Sequence, residues 1–124
     1  MSNSKKLVDT ITLGMIEKKA NNIVTINFAE TKNAITDYFI ICEAENSTQT
    51  EAIADSIERF ARSEVKEKPI HSEGKENSEW IILDYFNVVV HVFQRKFRES
   101  YKLEELWADA EITKIDVKYS SLDN

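Results

Sequence analysis

The chain has 124 residues and a net charge of −6, from 22 acidic and 16 basic side chains. This length supports a single core, and 42% hydrophobic with 31% charged content excludes a disordered polymer. The acidic balance argues against a protein held to nucleic acid mainly by phosphate contacts, which needs a surplus of Lys and Arg, and leaves room for a local basic patch or for a basic protein as partner, to which an acidic domain is steered. The single Cys rules out an intramolecular disulfide framework and fits a reducing compartment. No apolar run reaches the roughly 18 residues of a membrane span. The start, Met1-Ser-Asn-Ser-Lys-Lys6, does not read as a secretory signal. The expected location is the cytoplasm.

With two Gly and one Pro, most of the chain belongs in helices and strands. Ser4 is a candidate N-cap, and Leu7, Val8, Ile11, Met15 and Ile16 recur at helical spacing, so a helix is expected over about residues 5–20. Val24, Ile26 and Phe28 alternate with Thr25 and Asn27, the pattern of a half-buried strand. After a polar turn, Asp37-Tyr-Phe-Ile-Ile-Cys42 is apolar on both faces and reads as a central strand. Asn46-Ser47 caps a long helix striped by Ile53, Ile57, Phe60, Ala61 and Val65, which fades at Lys66-Glu-Lys68 before Pro69. Ile70-His71 reads as a short strand and residues 72–79 as an exposed loop. Trp80–Asp84 and Val88–Phe93 form a hairpin. Gln94 to Trp107 reads as helix, and Ile112–Val117 as one short strand in a polar tail. The expectation is an α/β domain over residues 1–110, with a mixed sheet of about five strands and helices packed on it, and a tail over 111–124. The stretch from Asp37 through the second helix to Ile70 reads as a crossover between parallel strands.

Side chains alternate across a sheet. In the hairpin, Ile81 and Leu83, with Val88, Val90 and Val92, read as core under helices. Trp80, Ile82 and Asp84, with Val89, His91 and Phe93, share the other face. With both long helices on one side, this second face would be left bare, and a bare face carrying Trp and Phe is an interaction surface. The competing possibility is that the C-terminal helix or tail folds over it and makes Trp80 and Phe93 ordinary core.

The sequence offers little for catalysis. Cys42 with His71 or His91 as base is conceivable, but Cys42 lies inside a continuous apolar strand, where inert cysteines are usual. Two histidines without nearby Cys or spaced carboxylates make a poor metal site. Gly14 and Gly74 stand alone, so there is no phosphate-cradling loop. Asp84 ends a strand without a second carboxylate two residues away, and reads as a turn residue. Arg95, Lys96, Arg98 and Lys102 form a basic patch, either a solvated helix face or a contact with nucleic-acid phosphate at the rim of a larger interface.

A series of blocks keeps its order and spacing: Asp37-Tyr-Phe-Ile-Ile, Ser47-Thr-Gln49, Ala52-Ile-Ala54, Glu73-Gly74, Trp80-Ile-Ile-Leu-Asp-Tyr85, Val89-Val-His-Val-Phe93, and Arg98-x-x-Tyr101-x-Leu103-Glu-x-Leu-Trp107. From about Leu7 to Ala110 the chain resembles the ribosomal silencing factor (RsfS, or Iojap) family. It departs from the family pattern at Phe86 and Asn87, where Gly and Asp are usual, and at Ala44-Glu-Asn46, where a Gly is usual. The resemblance implies a nucleotidyltransferase-like core without catalytic residues and without a cofactor. It implies a translational repressor that docks on the large ribosomal subunit through ribosomal protein fourteen and blocks joining to the small subunit, with peripheral rRNA contact and a homodimer when free. Trp80, Asp84, Tyr85, His91 and Phe93 are the expected partner-binding residues, with Arg98 and Tyr101 extending the surface. The alternatives are a large-subunit assembly factor and a nucleotidyltransferase relative that still binds nucleotide through Asp84.

Overall fold

The computed structural model describes residues 4–31, 34–101 and 110–119. In chain order these form α1 (Ser4–Glu17), β1 (Asn21–Asn27), β2 (Tyr38–Ala44), α2 (Ser47–Val65), β3 (His71–Glu73), β4 (Trp80–Asp84), β5 (Val88–Gln94), α3 (Arg95–Tyr101) and β6 (Glu111–Ile115). The expected elements are present within a few residues of their limits. The part of the last expected helix that carries Lys102, Leu103, Leu106 and Trp107 lies outside the described residues.

The strands form one mixed sheet in the order β3-β4-β5-β2-β1-β6. It has six strands rather than about five, because the short strand expected in the tail joins it. β6 pairs antiparallel with β1 from Ile23↔Ile115 to Asn27↔Glu111. The doubly apolar β2 is central, parallel to β5 and antiparallel to β1. The crossover also differs in one respect. α2 carries the chain from β2 to β3, which runs in the same direction but lies at the sheet edge, and two antiparallel steps through β4 bring β5 back beside β2.

Both long helices lie on one face. α1 buries Leu7, Val8, Ile11 and Met15, and α2 buries Ile53, Ile57 and Ala61, over Ile40, Cys42, Ile81, Leu83, Val88, Val90 and Val92. The helices meet where α1 has no side chain: a Cβ on Gly14 would lie 3.0 Å from the Ile57 Cα. The Ser56 hydroxyl donates to the Gly14 carbonyl at 2.8 Å across this contact. α2 starts as the sequence indicates. The Asn46 side chain accepts from the Gln49 amide at 2.8 Å, and Gln49 Oε1 accepts from the Glu45 amide at 2.8 Å. Gln49 Nε2 also donates to the carbonyls of Lys18 and Lys19, just past the end of α1. One side chain thereby serves two helix ends, where carbonyls and amides lack helical partners.

The opposite face corrects an expectation. It is not left bare. Val24, Ile26, Phe28, Ile41 and Phe93 form a second apolar cluster, with Ala34, Phe39, Trp80 and Ala110 packed against it. Phe93 is 1% exposed and His91 5% exposed. The physical reason is the width of the sheet. β1 adds Val24 and Ile26 to this face, Phe28 follows just past its end, and the segments holding Ala34 and Ala110 reach it from outside the strands.

Candidate partner-binding surface

The hairpin register places Trp80 opposite Phe93, Ile82 opposite His91 and Asp84 opposite Val89. These six side chains share the helix-free face, as the alternation predicts. Trp80 stacks on Phe93 with ring centroids 4.9 Å apart. Its indole Nε1–H donates to His91 Nδ1 at 3.0 Å, and the Phe39 ring meets the imidazole edge-on at 4.6 Å. An indole nitrogen is a donor only, so Nδ1 is the acceptor and the neutral ring carries its proton on Nε2. That Nε2 is buried and has no acceptor among the described residues. Burial pulls the His91 pKa down to about 3, because it strips the imidazolium of the solvent that would stabilise its charge. Trp80 itself is half-buried. His91 and Phe93 therefore act from beneath: they orient Trp80 rather than reach the surface.

Asp84 is a turn residue. Its carboxylate accepts from the Phe86 amide at 2.7 Å, and its carbonyl accepts from the Ile70 amide at 2.8 Å. Tyr85 departs from the expected surface. Its ring is 3% exposed and belongs to the core under the helices. Burial there pushes its phenol pKa up. The strand alternation carries Tyr85 to the helix side, one residue beyond Asp84.

Arg98 is a half-buried cation engaged within the protein. Its side chain is 11% exposed, and Nη1 donates to the Asn22 carbonyl at 2.6 Å and to Glu43 at 3.2 Å. Glu43 also accepts from Arg95 Nε at 3.3 Å and from the Asn22 side chain at 2.9 Å. Arg95 pairs with Glu45 as well. Half of the expected basic patch is thus engaged by the protein's own carboxylates, and Lys96 lies over the Phe97 ring. Lys102 lies outside the described residues, and Tyr101 enters the description as the backbone end of α3. Sequence reading overlooked Glu43. The signal was available: an acid two residues beyond Ile41 on an apolar strand falls on a buried face and needs a cation there.

Cys42 and His91 point to opposite faces of the sheet, so the nucleophile–base pairing does not form. Burial pushes the Cys42 thiol far above its usual range. His71 is exposed at the sheet edge and lies 2.7 Å from Glu73.

A family model described as "Ribosomal silencing factor during starvation" matches residues 1–123. The chain belongs to the ribosomal silencing factor family. A silencing factor from Halalkalibacterium halodurans is 33% identical over 94% of this chain and 97% of its own length. A crystal structure of a Bacillus halodurans protein is similar with a TM-score of 0.74 at 28% identity, covering 91% of this chain and 99% of that one. A mouse protein named "Mitochondrial assembly of ribosomal large subunit protein 1" is 28% identical over 58% of this chain and 32% of its own length. Membership places this silencing factor among ribosome-associated regulators of translation. Among its described residues, no helix is long and apolar enough to cross a membrane.

Proposed function

We propose that this silencing factor represses translation by docking on the large ribosomal subunit, through large-subunit ribosomal protein fourteen, and by sterically blocking its joining to the small subunit. The observation that carries the reading is the family match across residues 1–123. The mechanism is exclusion and needs no chemical step. A ribosomal surface used for subunit joining cannot serve two ligands at once. It operates in the cytoplasm, where subunits join.

Trp80 and Asp84 are the contact residues. His91 and Phe93 position the indole, which supports using it as an anchor: rigid aromatic side chains bind with little loss of rotamer freedom. Tyr85 holds the turn from the core side, and Arg98 and Tyr101 extend the surface along α3. The net charge of −6 and the pairing of Arg95 and Arg98 with Glu43 support a protein partner of basic character, with rRNA contact at the periphery. Free in solution, two copies pair through the same face, so dimer and ribosome complex compete.

The test is co-sedimentation with purified large subunits. Trp80→Ala should weaken binding by about 30-fold, the effect of losing an anchor worth about 2 kcal/mol, while the protein stays folded. Unchanged binding would remove Trp80 from the interface. A second reading, assembly of the large subunit without blocking joining, is favoured by the name of the mouse relative. A protein that binds large subunits but leaves the joined fraction intact would select it.

A further inference from the structure

Three of the large apolar side chains most exposed to solvent come together at one end of the sheet. Ile35 is 85% exposed, Phe86 72% and Ile70 70%. Hydrogen bonds tie their segments to one another. The Thr36 hydroxyl donates to the Phe86 carbonyl at 2.9 Å, and the Asp37 amide donates to the Asn87 carbonyl at 3.0 Å. The Ile70 amide donates to the Asp84 carbonyl, and the Asp84 carboxylate receives the Phe86 amide. Phe86 also sits at φ +76°, in the left-handed region. That conformation is a real outlier for a bulky side chain, and glycine adopts it freely. Phe86 is therefore costly twice within the monomer: its backbone is strained and its ring lies in water. Outliers of this kind cluster where a molecule binds something else.

We infer that Phe86, flanked by Ile35 and Ile70, is a second anchor of the surface that meets the large ribosomal subunit, docking in an apolar pocket on a basic ribosomal protein. This rests on the proposed function. Continuity supports the occupant: Phe86 lies two residues from Asp84, whose carboxylate fixes its amide, on the hairpin that carries Trp80. Charge supports it as well, since a chain of net charge −6 is drawn to a basic protein surface and not to bare phosphate. Size argues against a second copy on this patch alone. Three side chains present at most a few hundred Å², short of the roughly 800 Å² per partner of a stable dimer. They extend a footprint that begins at Trp80.

The discriminating variant is Phe86→Gly, which relieves the backbone and removes the ring together. A residue that serves the monomer alone predicts a neutral or improved protein by every measure. The inferred anchor predicts opposite signs: a melting temperature unchanged or raised, and co-sedimentation with purified large subunits at least tenfold weaker than wild type. Ile70→Ser should weaken binding in the same direction by a smaller factor. Wild-type affinity in Phe86→Gly overturns the inference while leaving the docking function standing. Failure of the wild-type protein to bind large subunits overturns the function itself, and this shows without any substitution. If Phe86→Gly instead abolishes self-association in sedimentation velocity, or binding to protein-free rRNA, with subunit binding intact, the occupant assigned here is wrong.

Discussion

The two faces of the sheet solve the same burial problem with different chemistry. The helix side is almost wholly aliphatic, with Tyr85 its one buried ring among the described residues: Ile57 and Ala61 of α2 with Leu83, Val90 and Val92 of the strands are all 0% exposed, and Gly14 lets the two helices touch. The other side is aromatic and polar. It holds Trp80 stacked on Phe93 beside His91, an imidazole nitrogen without an acceptor among the described residues, and a carboxylate, Glu43, satisfied by two arginines. An aliphatic core contributes stability and little else. Each side also holds one buried donor with no acceptor among the described residues, the Tyr85 hydroxyl under the helices and His91 Nε2 on the other face, each costing about 1–3 kcal/mol; the aromatic face differs in keeping a half-buried indole able to engage another molecule.

The comparison can be broken most strongly on the helix side. Ile57→Ala should destabilise by about 4 kcal/mol in denaturant unfolding, the upper range for a sealed aliphatic side chain, and should leave the ratio of subunit affinity to folded protein unchanged. Glu43→Gln should cost about 3 kcal/mol, because it removes the buried carboxylate charge that Arg95 and Arg98 share. A cost below about 1 kcal/mol would show that the Glu43 charge is not what holds the two arginines in place.

The next effect is a pH dependence carried by His91. Its folded pKa of about 3 lies below the usual 6.5, so the unfolded chain takes up the proton first. Stability is complete above about pH 6.5 and is lost as pH falls from there toward about 3, with a slope of at most about 1.4 kcal/mol per pH unit for one proton. His91→Phe should flatten this part of the profile while other acid-sensitive groups still act. An unchanged slope would show that the imidazole titrates normally. The smallest effect is expected from Trp80→Phe, which keeps an aromatic ring on Phe93 but removes the donor to His91. It should cost about 1 kcal/mol in stability.

Much of this was legible in the sequence. Alternation alone sorted Ile81, Leu83, Val88, Val90 and Val92 from Trp80, Ile82, Asp84, Val89, His91 and Phe93. Asn46 was readable as a cap, because a short polar side chain before an apolar stripe has few other uses. What periodicity left open was cover. Whether a face is bare depends on segments distant in sequence, here β1 and the neighbourhoods of Ala34 and Ala110, whose approach no local periodicity records. The same limit hid the pairing of Glu43 with Arg98, 55 positions apart, and so turned half of a supposed basic patch into internal ion pairs. Tyr85 follows Ile81 and Leu83 to the helix side, so its place was legible had the two-residue period been carried one step past Asp84 instead of stopping at the turn.

The decisive experiment mixes separated ribosomal subunits at fixed magnesium with and without this protein and follows the joined fraction. Steric silencing predicts that wild-type protein lowers the joined fraction in proportion to its occupancy of the large subunit, and that Trp80→Ala restores joining at equal concentration. Full occupancy of large subunits with an undiminished joined fraction would contradict it.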